Sequence, residues 1–162
     1  MQIQWSRQPG CRIPAGARAP VEAAARALPP AGLQVQVVLA GDALLQRLNQ
    51  EFRHRDRPTD VLSFRYDGAA VAAAGADPGA EIYVSLPRAV AQAREYGRTR
   101  VQEFVLLVLH GLLHVQGHDH HRRVDARRMH AAERAALRQL RRRWRWLDLP
   151  PMVAAPARRG TP

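Results

Sequence analysis

Apolar positions alternate with polar ones in some stretches of the chain and recur every three or four residues in others, and these two rhythms divide it into strands and helices. Gln2 to Trp5 reads as a short strand, and LQVQVVLA, from Leu33 to Ala40, alternates and then turns apolar and β-branched, as a strand half covered by a core does. Thr59 to Tyr66 and Glu81 to Leu86 predict two more strands. An alanine-rich helix is predicted from Val21 to Leu28, stopping at Pro29-Pro30. Asp42 is a capping residue ahead of a helix in which Leu44, Leu45, Leu48 and Phe52 fall at helical spacing, and Pro87 opens another that stops near Gly97. From Val101 to Gln116 the pattern is apolar almost all round, which predicts a buried central helix. A last helix, Val124 to Trp146, sets Met129, Ala132, Ala136, Leu137 and Leu140 on one side and many arginines on the other.

Between these elements, Asp67 to Gly79 is mostly glycine and alanine without periodicity and reads as a mobile loop. Pro150 to Pro162, rich in proline, alanine and arginine, reads as a disordered tail. Strands and helices are mixed without a strict βαβ rhythm, a glycine-rich phosphate loop or internal repeats. The expected fold is therefore α+β: a small mixed β-sheet packed with helices around a buried central helix, forming one domain over residues 1–148 with a tail at 149–162.

Composition narrows the function. A chain of 162 residues, 46% hydrophobic, has the size of one domain with a real core. No apolar run is long enough to span a bilayer and MQIQWSRQPG lacks the layout of a signal peptide, so a cytoplasmic location away from membranes is expected. Cys11 is the only cysteine, which excludes an internal disulfide and leaves histidine and carboxylate as metal ligands. The formal net charge is +11 and every basic residue in it is arginine, an excess that favours a polyanionic partner; a composition heavy in arginine and alanine equally fits a GC-rich genome.

The histidines sharpen this. HGLLHVQGHDHH, from His110 to His121, holds five of the seven; His54 and His130 are the others. His110 and His114, four residues apart, lie about 40° apart on one face of the central helix and can turn a ring nitrogen toward one ion. Gly117 can end the helix in a left-handed conformation so that His120 approaches the same ion. His118, directly after the glycine, has little chain in which to turn back. Three imidazoles would leave the fourth tetrahedral position of a zinc ion open, as catalytic zinc requires, and the metal would activate a water there. The spacing is also that of metzincin peptidases, but those carry glutamate after the first histidine as general base, where this chain has Gly111; peptide hydrolysis is not expected.

With glycine there, HGLLHVQGHDH resembles the signature of the YbeY family, His-Gly-x-Leu-His-x-x-Gly-aromatic-Asp-His. LNQEFRHRDRPTDVLSF, from Leu48 to Phe64, is similar to that family's other block, and GAEIYVS and the Met129 to Glu133 stretch follow in the expected order, so the resemblance covers residues 33–140. It implies a zinc-dependent, single-strand-specific endoribonuclease of small-subunit ribosomal RNA 3′-end maturation and ribosome quality control, with one Zn2+ on His110, His114 and His120. Its partners would be single-stranded RNA and the small ribosomal subunit, and DNA is not expected. The family's important arginine falls on Arg53, suited to holding a phosphate or stabilising a phosphorane. His118 stands where tyrosine is usual and Glu81 where aspartate is more common. Asp119 either orients a ligand imidazole or is an exposed turn residue; His121 and His130 are expected in solvent. The arginines from Arg122 to Arg145, with Trp144 and Trp146, offer a surface on which RNA could stack. The competing class is a ribosome-associated RNA-binding assembly factor with a structural metal.

Overall fold

The computed structural model describes residues 1–66, 79–118 and 123–149. The expected loop from Asp67, the residues Asp119, His120 and His121, and the expected tail from Pro150 lie outside them. In chain order the elements are β1 (Gln2–Arg7), α1 (Arg18–Ala27), β2 (Gln34–Ala40), α2 (Asp42–Arg53), β3 (Val61–Tyr66), β4 (Gly79–Ser85), α3 (Leu86–Glu95), α4 (Arg100–Val115) and α5 (Arg123–Arg141), with a short 3₁₀ turn at Arg145–Leu147. The strands form one sheet in the order β1-β2-β4-β3. β1, β2 and β4 run parallel and the edge strand β3 antiparallel to β4, so the α+β class and the mixed sheet expected from the sequence are both present.

The register explains the alternation. Val35, Val37 and Leu39 of β2 sit beside Ala80, Ile82 and Val84 of β4, and all six side chains are buried on one face of the sheet. α4 packs there, and every side chain from Glu103 to Leu113 is buried, as an all-round apolar helix must be. Thr99 starts this helix with a reciprocal capping box: its hydroxyl accepts from the Gln102 backbone N–H, while the Gln102 side chain accepts from the Thr99 N–H. α1, α3 and α5 surround α4. Among the described residues no helix is long and apolar enough to cross a membrane.

Several boundaries differ from the expected ones for local reasons. α1 begins at Arg18, before Val21, because Pro20 falls in the first turn, where its missing N–H leaves no bond unmade. Asp42 is the first helical residue of α2, not its cap; its carboxylate is taken by the Ser85 hydroxyl and lies 3.5 Å from the Arg88 guanidinium. β3 starts at Val61, not Thr59, because the Asp60 carboxylate accepts from the Val61 N–H and from Gln92 and holds the chain in a turn. α5 ends at Arg141, well before Trp146, and the turn that follows brings Leu147 back into the core. On α2 only Leu45 and Asn49 are buried, and Phe52, expected on the buried face, is 56% exposed.

Candidate metal centre

The last turns of α4 carry the histidine pair. His110 is buried and His114 half-buried, and their Nε2 atoms stand 3.1 Å apart with the rings edge to face. Two imidazole nitrogens each about 2.0–2.1 Å from one tetrahedral zinc would lie about 3.3 Å apart, so the observed separation fits a shared ion. The helix then stops as the sequence requires. Gly117 has φ +89°, its N–H donates to the His114 carbonyl, and the His118 N–H donates to Leu113, the paired bonds of a Schellman end.

The residue that fixes the pair is Glu133 of α5. Its carboxylate, fully buried, lies 2.6 Å from His110 Nδ1. An ionised carboxylate only accepts, so Nδ1 carries the proton and Nε2 is left with its lone pair directed at His114. The other carboxylate oxygen, Oε2, is buried without a hydrogen-bond partner among the described residues, so the contacts of this acid are concentrated on His110. Reading the sequence for ligands alone passes over Glu133. The available signal is an acid inside a buried stripe: Met129, Glu133, Ala136, Leu137 and Leu140 form the buried face of α5.

Gly111 has a packing reason. A Cβ there would sit 2.7 Å from Ile82 Cγ2 and 3.0 Å from Ser63 Oγ, so α4 lies directly on the sheet at this residue. The glutamate of a metzincin would have to enter the sheet, and the absence of that general base is built into the fold.

The other expected site residues fall in different places. His120 lies outside the described residues, and among those described no third His, Cys, Asp or Glu completes a three-ligand group. His118 lines an apolar cavity of about 480 Å³ between α1, α4 and α5, beside Leu28, Leu113 and Trp144, and does not hydrogen-bond to the pair. Arg53 ends α2, exposed, with no hydrogen bond or ion pair among the described residues. α2 reaches the sheet through Phe52 against Phe64, whereas α4 meets the sheet at Ser63 and Ile82. Neighbouring strand residues point to opposite faces, so α2, which Arg53 ends, and α4 pack on opposite faces of the sheet. His54 is exposed and His130 half-buried. Trp146 is 37% exposed; Trp144 is half-buried with Arg143 stacked 5.1 Å from its ring centre.

Comparison with known proteins agrees with this architecture. The model of a family described as Endoribonuclease YbeY matches residues 14–141. An Endoribonuclease YbeY from Solibacter usitatus is 40% identical over 138 residues, covering 83% of this chain and 82% of its own. That of Roseiflexus sp. is 45% identical over 113 residues, 67% of this chain and 71% of its own. The Myxococcus xanthus protein of the same description is 42% identical over 106 residues, and the match spans only 36% of that longer protein. A solution structure of a Thermotoga maritima protein, 26% identical, superposes with a TM-score of 0.59 over 89% of this chain and 92% of that one.

Proposed function

The chain belongs to the YbeY endoribonuclease family, and from that premise we propose that it is a cytoplasmic, zinc-dependent endoribonuclease that cleaves single-stranded RNA in the 3′-end maturation of small-subunit ribosomal RNA and in ribosome quality control. The observation that carries the reading is the pair of Nε2 atoms 3.1 Å apart, with a buried carboxylate 2.6 Å from Nδ1 of one of the two rings. In this proposal His120 completes the ligand set of one zinc ion. Zinc held there supplies Lewis acidity to a phosphodiester oxygen and to water.

The chain's own residues contribute orientation and exclusion. Glu133 accepts the Nδ1 proton of His110, keeps the ring from rotating and makes it a stronger donor to a cation. Gly111 brings this end of α4 onto β3 and β4, so the pair is backed by packed side chains on the sheet side. Arg53 holds a phosphate of the strand by a bidentate fork. The nucleophile is water or the 2′-hydroxyl of the substrate, and the product ends distinguish them: a 2′,3′-cyclic phosphate comes only from the hydroxyl.

The test is cleavage of a single-stranded RNA by zinc-loaded protein beside His114→Ala, purified identically, with bound zinc measured in both. Cleavage and zinc lost together support the reading. Equal cleavage by both preparations overturns it. A second reading, an RNA-binding assembly factor with a structural metal, draws on the commitment of Glu133 to His110, which leaves no second acid beside the pair among the described residues. Arg53→Ala separates the two: turnover that falls by more than RNA affinity fits the enzyme, and affinity lost in a protein that never cleaves fits the factor.

A further inference from the structure

The face of the sheet turned away from α4 is unlike the other. Every second residue of β3 and β4 points to it: Leu62 and Ser85, both buried, and then Phe64, Tyr66, Glu81 and Tyr83. Phe52 reaches over from α2, its ring 4.9 Å from that of Phe64, which in turn lies 5.9 Å from Tyr83, both contacts edge to face. Tyr66 and Tyr83 donate their hydroxyls to one oxygen of Glu81, at 2.8 and 2.9 Å, so the rings are held from both ends. Yet the cluster is not a core: Phe52 is 56% and Tyr66 45% exposed. Ordering four aromatic rings while leaving two of them in water gains little for folding.

Beside the rings lies a basic loop with the same character. After α2 the chain turns through His54, in a left-handed conformation with φ +54°, and continues through Arg55, Asp56 and Arg57. The backbone here is tied down. Asn49, 4% exposed, donates its side-chain amide to the Arg57 carbonyl and accepts the Arg55 N–H at its own carbonyl, while Gln46 donates to the Asp56 carboxylate. Asp56 is thereby occupied. The guanidinium groups of Arg53, Arg55 and Arg57 are exposed and have no hydrogen bond or ion pair among the described residues.

We propose that this aromatic face is a stacking platform for the bases of single-stranded RNA, with Arg55 and Arg57 holding the phosphates of the strand as it passes. The inference rests on the RNA reading above and adds where the strand binds. Aromatic rings on an open sheet stack bases whatever their identity, and free arginines on a rigid loop meet a polyanion with little loss of conformational freedom. The platform and the histidine pair flank the same edge strand on opposite faces, so a strand seated on Tyr66 and Phe52 needs only to cross β3 to reach the metal centre. A second copy of this chain would also cover apolar rings, but three unpaired arginines on each copy would then face one another, and like charges oppose that occupant.

The test uses the full, zinc-loaded chain with a short labelled single-stranded RNA and the same strand made abasic, measuring affinity for both. Phe52→Ala and Tyr66→Ala are each expected to weaken binding of the base-bearing strand roughly ten-fold and leave the abasic strand unchanged. Tyr66→Phe, which keeps the ring and drops only the bond to Glu81, is expected to bind as the wild type does. Arg55→Ala and Arg57→Ala are expected to weaken both strands alike and to flatten the salt dependence. A strand carrying 5-iodouracil should cross-link to Phe52 or Tyr66. Wild-type binding that survives both alanine variants overturns the platform and leaves the nuclease reading standing. A wild type that neither binds nor cleaves RNA overturns both. A dimer that dissociates on Phe52→Ala, with RNA affinity unchanged, assigns the face to a second copy and overturns the proposal.

Discussion

Glu103 and Glu133 are two buried carboxylates in the same layer of helices, 1% and 0% exposed, and each faces one basic side chain. Glu103, in the first turn of α4, meets Arg98 at 2.8 Å in a nearly dry ion pair. Glu133 meets His110 at 2.6 Å and leaves its second oxygen without a hydrogen-bond partner among the described residues. Arg98 is always charged, so the first pair is a fixed element of the fold that holds the entry to α4 against the loop before it. Histidine carries a lone pair on its far nitrogen, so the second pair transmits the carboxylate's influence outward to whatever that nitrogen binds. The same acid, equally buried, serves stability at one end of α4 and the candidate metal at the other.

The sharpest way to break this contrast is Arg98→Ala, which leaves Glu103 buried without its counter-charge. A loss of about 3–5 kcal/mol at neutral pH is expected by thermal or urea unfolding, with zinc content unchanged in whatever fraction folds. The pH dependence has a definite sign. Burial raises the Glu103 carboxyl above its ordinary 4.5 and Arg98 pulls it partly back down. A raised carboxyl contributes stability below the unfolded value and loses it as pH rises through the folded one. Removing Arg98 raises it further, so the deficit of Arg98→Ala should grow as pH rises above the ordinary carboxyl range toward neutrality. A deficit that shrinks over that range would show the pair to be unimportant to folding.

Glu133→Gln comes next. Zinc affinity, followed by competition with a chromogenic chelator, should fall about 10- to 100-fold while the unfolding midpoint of the metal-free protein moves little. Equal affinity would mean that Glu133 is only a core acid like Glu103. Gly111→Ala tests the surface on which the histidine end of α4 rests: the added methyl enters Ile82, and a loss of about 1–3 kcal/mol is expected in unfolding. The smallest effect belongs to the opposite end. Thr99→Ala removes the capping hydroxyl of α4 and should lower stability by about 1 kcal/mol without altering zinc uptake.

The features legible along the chain are local ones. The spacing of apolar residues marked the helices and strands to within a few positions, because periods of 3.6 and 2 residues are imposed by backbone geometry alone. The four-residue interval and Gly117 likewise put His110 and His114 on one face of a helix that ends just beyond them. Tertiary structure decided the rest, since it depends on which elements meet. The parallel order of β1, β2 and β4 cannot be read from any one strand. Glu133 is 23 residues from His110 and becomes its partner only because α5 lies against α4. Gly111 is required because Ile82 occupies the space a side chain would need. Phe52 falls on the face of β3 turned away from α4 because α2 docks on the sheet at Phe64. A periodic pattern says that a residue will be covered or exposed; only packing says by what, and the chemistry of a site lies in that second fact.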